Sequence, residues 1–145
     1  GTGNGAGVWN TGIGYAALNS AEATSEKNTA VGYGTLNANT TGDQNVAVGQ
    51  GALQYSTTAS FNVAVGALSS FATTTGTLNT SVGAYSFQTN TTGSSNTAIG
   101  SGALQVATTA SFNTAIGASA LDATTTGASN TALGYSALTS NTTGN

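Results

Sequence analysis

One residue recurs at a fixed step along this chain and limits what it can fold into. Asn10, Asn28, Asn45, Asn62, Asn79, Asn96, Asn113 and Asn130 are separated by one interval of 18 residues and then six of 17. Four residues after each stands a glycine: Gly14, Gly32, Gly49, Gly66, Gly83, Gly100, Gly117 and Gly134. An aliphatic residue always precedes that glycine, and a small residue (Gly, Ala or Ser) precedes the aliphatic one. Counting the Asn as position 1, Leu holds position 9 in six of the eight units, with Phe87 and Ser70 in the other two. Positions 13 and 14 are Thr-Thr in every unit except the first, which has Glu22 and Ala23. Self-similarity at such a period is the mark of a repeat architecture. A second period overlies the first: residues 45–61 match residues 96–112 at 12 of 17 places, which points to duplication of a three-unit block.

Local chemistry selects the kind of repeat. In NTAVG (28–32), Thr and Val alternate with Asn and Ala, the period-2 pattern of a strand four or five residues long. The invariant glycine stops it, since a turn there can take positive φ without steric cost. The Ala-Leu pair at positions 8 and 9 is expected to begin a second short extended segment, closed by Thr-Thr-Gly or Thr-Thr-Ala. No helix of ten or more residues fits between such closely spaced β-branched residues and glycines. The predicted fold is all-β, a parallel β-solenoid of eight 17-residue coils over residues 10–145, with residues 1–9 as an N-terminal cap or the end of a preceding coil.

Stacking accounts for a composition with only 3% charged residues. In a stack each residue lies about 4.8 Å from its equivalent. A charge at a repeated position would therefore meet its like at a cost of about 1 kcal/mol even at the dielectric of water. Asn columns gain instead, because each amide can donate to the next amide's carbonyl, and Thr columns can do likewise. The charged set is Glu22, Glu26, Lys27, Asp43 and Asp122. Four of these five lie in the first two units, where they are expected to cap the stack.

The same composition excludes functions. One basic residue cannot neutralise a run of phosphates, so nucleic acid is not an expected partner, and neither is anionic lipid. Without His or Cys there is no zinc site, disulfide, thiol or imidazole chemistry, so neither an enzyme nor a cofactor is expected. Apolar runs are too short to span a bilayer as a helix, so no direct membrane insertion is expected. The absence of a leader and of an initiator Met suggests a mature or excised segment. About two aliphatic side chains per unit make a thin interior for seventeen ordered residues. Oligomerisation is expected, most simply a homotrimer about the long axis of a rod roughly 38 Å long. The small residues at positions 3 and 8 are expected to supply the face that another chain approaches.

The motifs NTAVG (28–32), NVAVG (45–49) and NTAIG (96–100, 113–117) resemble the head repeats of trimeric autotransporter adhesins of the YadA-like type. The longer forms NTAVGYGTLNANTTGDQ (28–44) and NTALGYSALTSNTTG (130–144) resemble repeats of bacteriophage tail fibres and related trimeric fibre proteins. The resemblance implies a left-handed parallel β-roll of three interlocked chains, extracellular, on a cell surface or on a virion tail. It implies attachment to a cell-surface glycan or protein receptor, with no catalytic residues. The unit here, 17 residues, is longer than the adhesin-head unit, so side-chain facing does not carry over.

Several residues invite site readings. Gly-x-Gly at 32–34, 49–51 and 100–102 falls at the turn register with no long helix following, which reads as a turn rather than a phosphate loop. Glu22, Glu26 and Asp43 offer oxygen ligands for calcium, but a solvated cap accounts for them more simply. Tyr15, Tyr33 and Tyr135 share position 6 just past the turn glycine. Trp9 shares position 17 with Phe61, Leu78 and Phe112, a partly buried corner or chain interface. Trp9 and the three tyrosines either contact a receptor, stacking on sugar rings, or cover the edges of the roll. Regular Thr also permits an ice-binding solenoid, although Thr at both positions 12 and 14 occurs only at 73/75 and 124/126. The reading that covers most of these features is a structural or adhesive segment of a homotrimeric attachment fibre. An ice-binding solenoid and a self-assembling filament subunit are the alternatives.

Overall fold

In the computed structural model, which describes residues 9–20 and 24–144, the three residues after each Asn form a strand. These are β1 (Thr11–Ile13), β2 (Thr29–Val31), β3 (Val46–Val48), β4 (Val63–Val65), β5 (Thr80–Val82), β6 (Thr97–Ile99), β7 (Thr114–Ile116) and β8 (Thr131–Leu133). They make one sheet in chain order, with every neighbouring pair parallel. The register is that of the repeat: Val46 lies opposite Val63, Ala47 opposite Ala64 and Val48 opposite Val65. The chain is a parallel β-solenoid, as the 17-residue period predicts.

The expected second strand of each coil is absent among the described residues. Positions 6 to 11 instead run through consecutive turns, in which the amide of Ala52 donates to Gly49 and the run is closed by that of Ser56 donating to Leu53. The cause lies in the backbone. Leu36, Leu53, Phe87, Leu104 and Leu121 at position 9 all have φ between 48° and 52°, and the residues at position 7 are left-handed as well. Left-handed residues alternating with residues of ordinary φ curl the chain rather than extend it. Each left-handed non-glycine residue costs about 1–2 kcal/mol. That cost is offset by the bonds the curl aligns with neighbouring coils, such as Leu53 N to Ser69 O at 3.1 Å and Tyr55 N to Phe71 O at 3.1 Å. Backbone hydrogen bonds thus pass from coil to coil around the contour, well beyond the strands.

The turn glycine at position 5 is a different case. Gly49 has φ +127°, outside the left-handed well that other residues visit, and a Cβ there would lie 2.6 Å from the Gly66 carbonyl oxygen. The φ holds along the whole column and the close approach from Gly14 to Gly117, so an L side chain at any of these seven positions would break the stack. At position 15, where no left-handed φ is required, Ala59 and Ala110 stand in place of the glycine of other coils.

The interior is narrow. Ala30, Ala47, Ala64, Ala98 and Ala115 of the strands are fully buried against Ala52, Ala103 and Ala120 and the position-9 leucines. This corrects the expectation that the small residues at positions 3 and 8 form an outer face for a second chain. They point inward because the strand and the curled segment face each other across too little space for larger side chains. The buried apolar residues fall into two clusters, residues 17–64 and 87–132. Between them lies a serine seam, in which Ser81 Oγ meets Ser69 Oγ at 2.7 Å and Ser70 Oγ at 2.8 Å.

Candidate functional site

The Asn column runs inside the coil. Asn28, Asn45, Asn62, Asn79, Asn96 and Asn113 are at most 2% exposed, and Asn10 and Asn130 continue the file at its ends. From Asn28 onward each Asn donates one recurring set of three bonds, and its Oδ1 accepts two from the next Asn of the file where one follows. The backbone N–H and Nδ2 of Asn79 both donate to Oδ1 of Asn62, at 2.9 and 3.2 Å, and Nδ2 also donates across its own coil to the Gly93 carbonyl at 2.9 Å. The same set recurs at Asn45, Asn96, Asn113 and Asn130. A carboxamide is the one neutral side chain group that donates and accepts in this way. The position-13 threonines form a parallel file: Thr57 Oγ1 donates to the Thr74 carbonyl at 3.1 Å, and Thr74 Oγ1 to that of Thr91 at 3.0 Å. These columns hold the coils together and face inward or along the axis, so they shape the rod rather than contact a ligand.

The surface carries the bulkier apolar residues. Because the small position-3 residue is buried on the inner side of each strand from β2 to β8, positions 2 and 4 project outward. Ile99 and Ile116 are each 38% exposed, and Val46, Val48 and Val63 are exposed as well. Down the eight strands this face is built of Thr and Val at position 2 and Val, Ile or Leu at position 4, without a single charge. The position-4 side chains thus form an uncharged apolar file along this face, flanked mostly by Thr at position 2.

The residues singled out as receptor contacts fall in two places. Tyr15 and Tyr33 are stacked at 5.4 Å between ring centroids with 13° between planes, beyond the glycine turn from the strand face. Tyr135 shares their register at the opposite end, exposed and outside that stack. Trp9 lies at another corner, where the Lys27 ammonium sits 5.0 Å from its ring centroid. Phe61, Leu78 and Phe112 follow in its column and are likewise exposed, not the partly buried corner expected of a single chain.

The other candidates resolve as follows. Gly34, Gly51 and Gly102 are turn residues with φ of 64–67°. Asp43 Oδ1 accepts the Glu26 backbone N–H at 2.7 Å, and the Glu26 carboxylate pairs with Lys27 at 3.4 Å. Glu22 lies outside the described residues, as do residues 1–8 of the expected cap; among the described residues no three metal-ligating side chains gather. Thr73 and Thr124 are buried while Thr75 and Thr126 are exposed, so within each Thr-x-Thr pair the two side chains take opposite sides of the wall. Among the described residues no helix is long and apolar enough to cross a membrane. Comparison with known protein families, with curated proteins and with solved structures finds no match.

Proposed function

We propose that this chain is a non-enzymatic segment of a homotrimeric attachment fibre, displayed outside the cell or on a virion tail. One observation carries the reading: each strand from β2 to β8 has its smaller side chain inside and its larger ones outside. Such a strand is built to be covered twice, once by its own coil and once by other chains. The occupants we assign to the outer face are two further copies of the same chain. The strip is only two outward residues wide, and three narrow strips close around an axis so that each is flanked by the other two. The uncharged, in-register columns allow this symmetry without placing like charges together. The resemblance to trimeric adhesin heads and tail fibres points to the same number, and from it we take the left-handed sense of the coil.

As a mechanism, coil-to-coil bonding and a dry small-residue interior make a stiff rod, and three copies multiply weak receptor contacts. Sedimentation equilibrium on the purified chain and on Val65→Lys/Ile99→Lys tests the proposal. The expected result is a trimer for the parent and a folded monomer for the variant, with cell attachment lost together with assembly. A monomeric parent, or a variant that still assembles, would remove the strand face as the interface.

A further inference from the structure

A cleft of about 370 Å³ opens along the first three coils, away from the strand face. One wall is the stacked pair Tyr15 and Tyr33, the floor is Ala16 and Gly34, and the facing wall is a row of carboxamides, Asn19, Asn37 and Gln54. The repeat explains why the cleft is here. Tyrosine at position 6 and a small residue at position 7 occur together in two adjacent coils, so the rings stand over a low floor. Further along, position 7 becomes Leu68, whose Cδ2 would lie 2.7 Å from a Cβ placed on Gly51, and the groove is filled. Phe71 stands behind it, edge-on to Tyr55 at 4.8 Å.

The chemistry of the walls selects a ligand class. No charged side chain lines the cleft, so it offers nothing to a phosphate, a carboxylate or a metal ion. It pairs an aromatic wall, which takes an apolar C–H surface, with amides that each donate and accept. Asn37 is fixed by its Nδ2 bond to the Ala16 carbonyl at 3.1 Å, whereas the Asn19 and Gln54 side chains make no hydrogen bond among the described residues. Successive amides stand one coil apart, about 4.8 Å, a step comparable to the advance of an extended oligosaccharide from one ring to the next. We infer that the cleft binds a neutral glycan, with C–H faces of its pyranose rings on Tyr15 and Tyr33 and its hydroxyls on the carboxamides. Its role in attachment rests on the fibre reading, but the binding itself needs only one folded chain.

The test is a titration of the full chain with a panel of neutral oligosaccharides (cellotetraose, maltotetraose, chitotetraose and a galactose tetramer) and an anionic comparator, hyaluronan tetrasaccharide, followed by NMR saturation transfer. At least one neutral member is expected to bind. Tyr33→Ala should weaken it about tenfold, Tyr33→Phe should largely preserve it, and Tyr135→Ala should leave it unchanged, all with the parent's circular dichroism. No binding by any neutral member, binding of the anion alone, or binding that survives Tyr15→Ala/Tyr33→Ala would overturn the inference. Mass measured on the same samples separates the two readings: a trimer that binds no neutral glycan removes the cleft and keeps the rod, whereas a glycan-binding monomer does the reverse.

Discussion

The two sides of a single strand obey opposite rules. Inside, Ala98 is fully buried beneath the next coil; one residue on, Ile99 is 38% exposed. In an ordinary sheet the larger residue would take the core side. Here the inner side is governed by how closely backbone must approach backbone, and volume is tolerated only on the outer side. The difference teaches that small residues in a repeat mark the inside of a thin coil, and that the large β-branched ones mark its outer face, which the proposed assembly would cover.

Substitutions on either side sharpen this contrast. The largest effect is expected from enlarging the inner side: Ala98→Leu should destabilise the fold by about 3 kcal/mol through overpacking, read from urea unfolding. A change near zero would mean that the interior has room and that the two sides are equivalent. Asn79→Ala comes next. It removes two donated and two accepted side-chain bonds and leaves partners in three coils unpaired, for a loss of about 2 kcal/mol. Calorimetric unfolding checks it, and a loss no larger than that of a surface substitution would show that the Asn file contributes little. The smallest effect has the opposite sign. Gln44 is exposed with φ 56°, so Gln44→Gly should stabilise by about 1 kcal/mol by relieving a left-handed conformation. A destabilised variant would indicate that its side chain has a role the outward position does not suggest.

Much of this was legible in the sequence. The Asn and Gly registers predicted parallel, in-register stacking, since only a coil of constant length places Asn62, Asn79 and Asn96 in one file. They also placed Tyr15 and Tyr33 in one column. Two features were not legible. Leu and Phe rarely adopt positive φ, so nothing in Leu53 or Phe87 announced the curl that replaces a second strand. The facing of each strand was hidden as well, because a period of 2 shows that neighbours point apart but not which of Ala98 and Ile99 points inward. The cleft needed both missing pieces, since its floor is the curled segment and its walls are side chains that the curl turns outward.

The most direct test of the account is the mass of the chain in solution at several concentrations, by sedimentation equilibrium. Outward Val and Ile columns covered by two further copies predict three times the chain's 13.9 kDa, with no dissociation on dilution into the micromolar range. A single 13.9 kDa species that keeps its β-structure would contradict it, because the larger side of every strand would then face water with nothing to cover it.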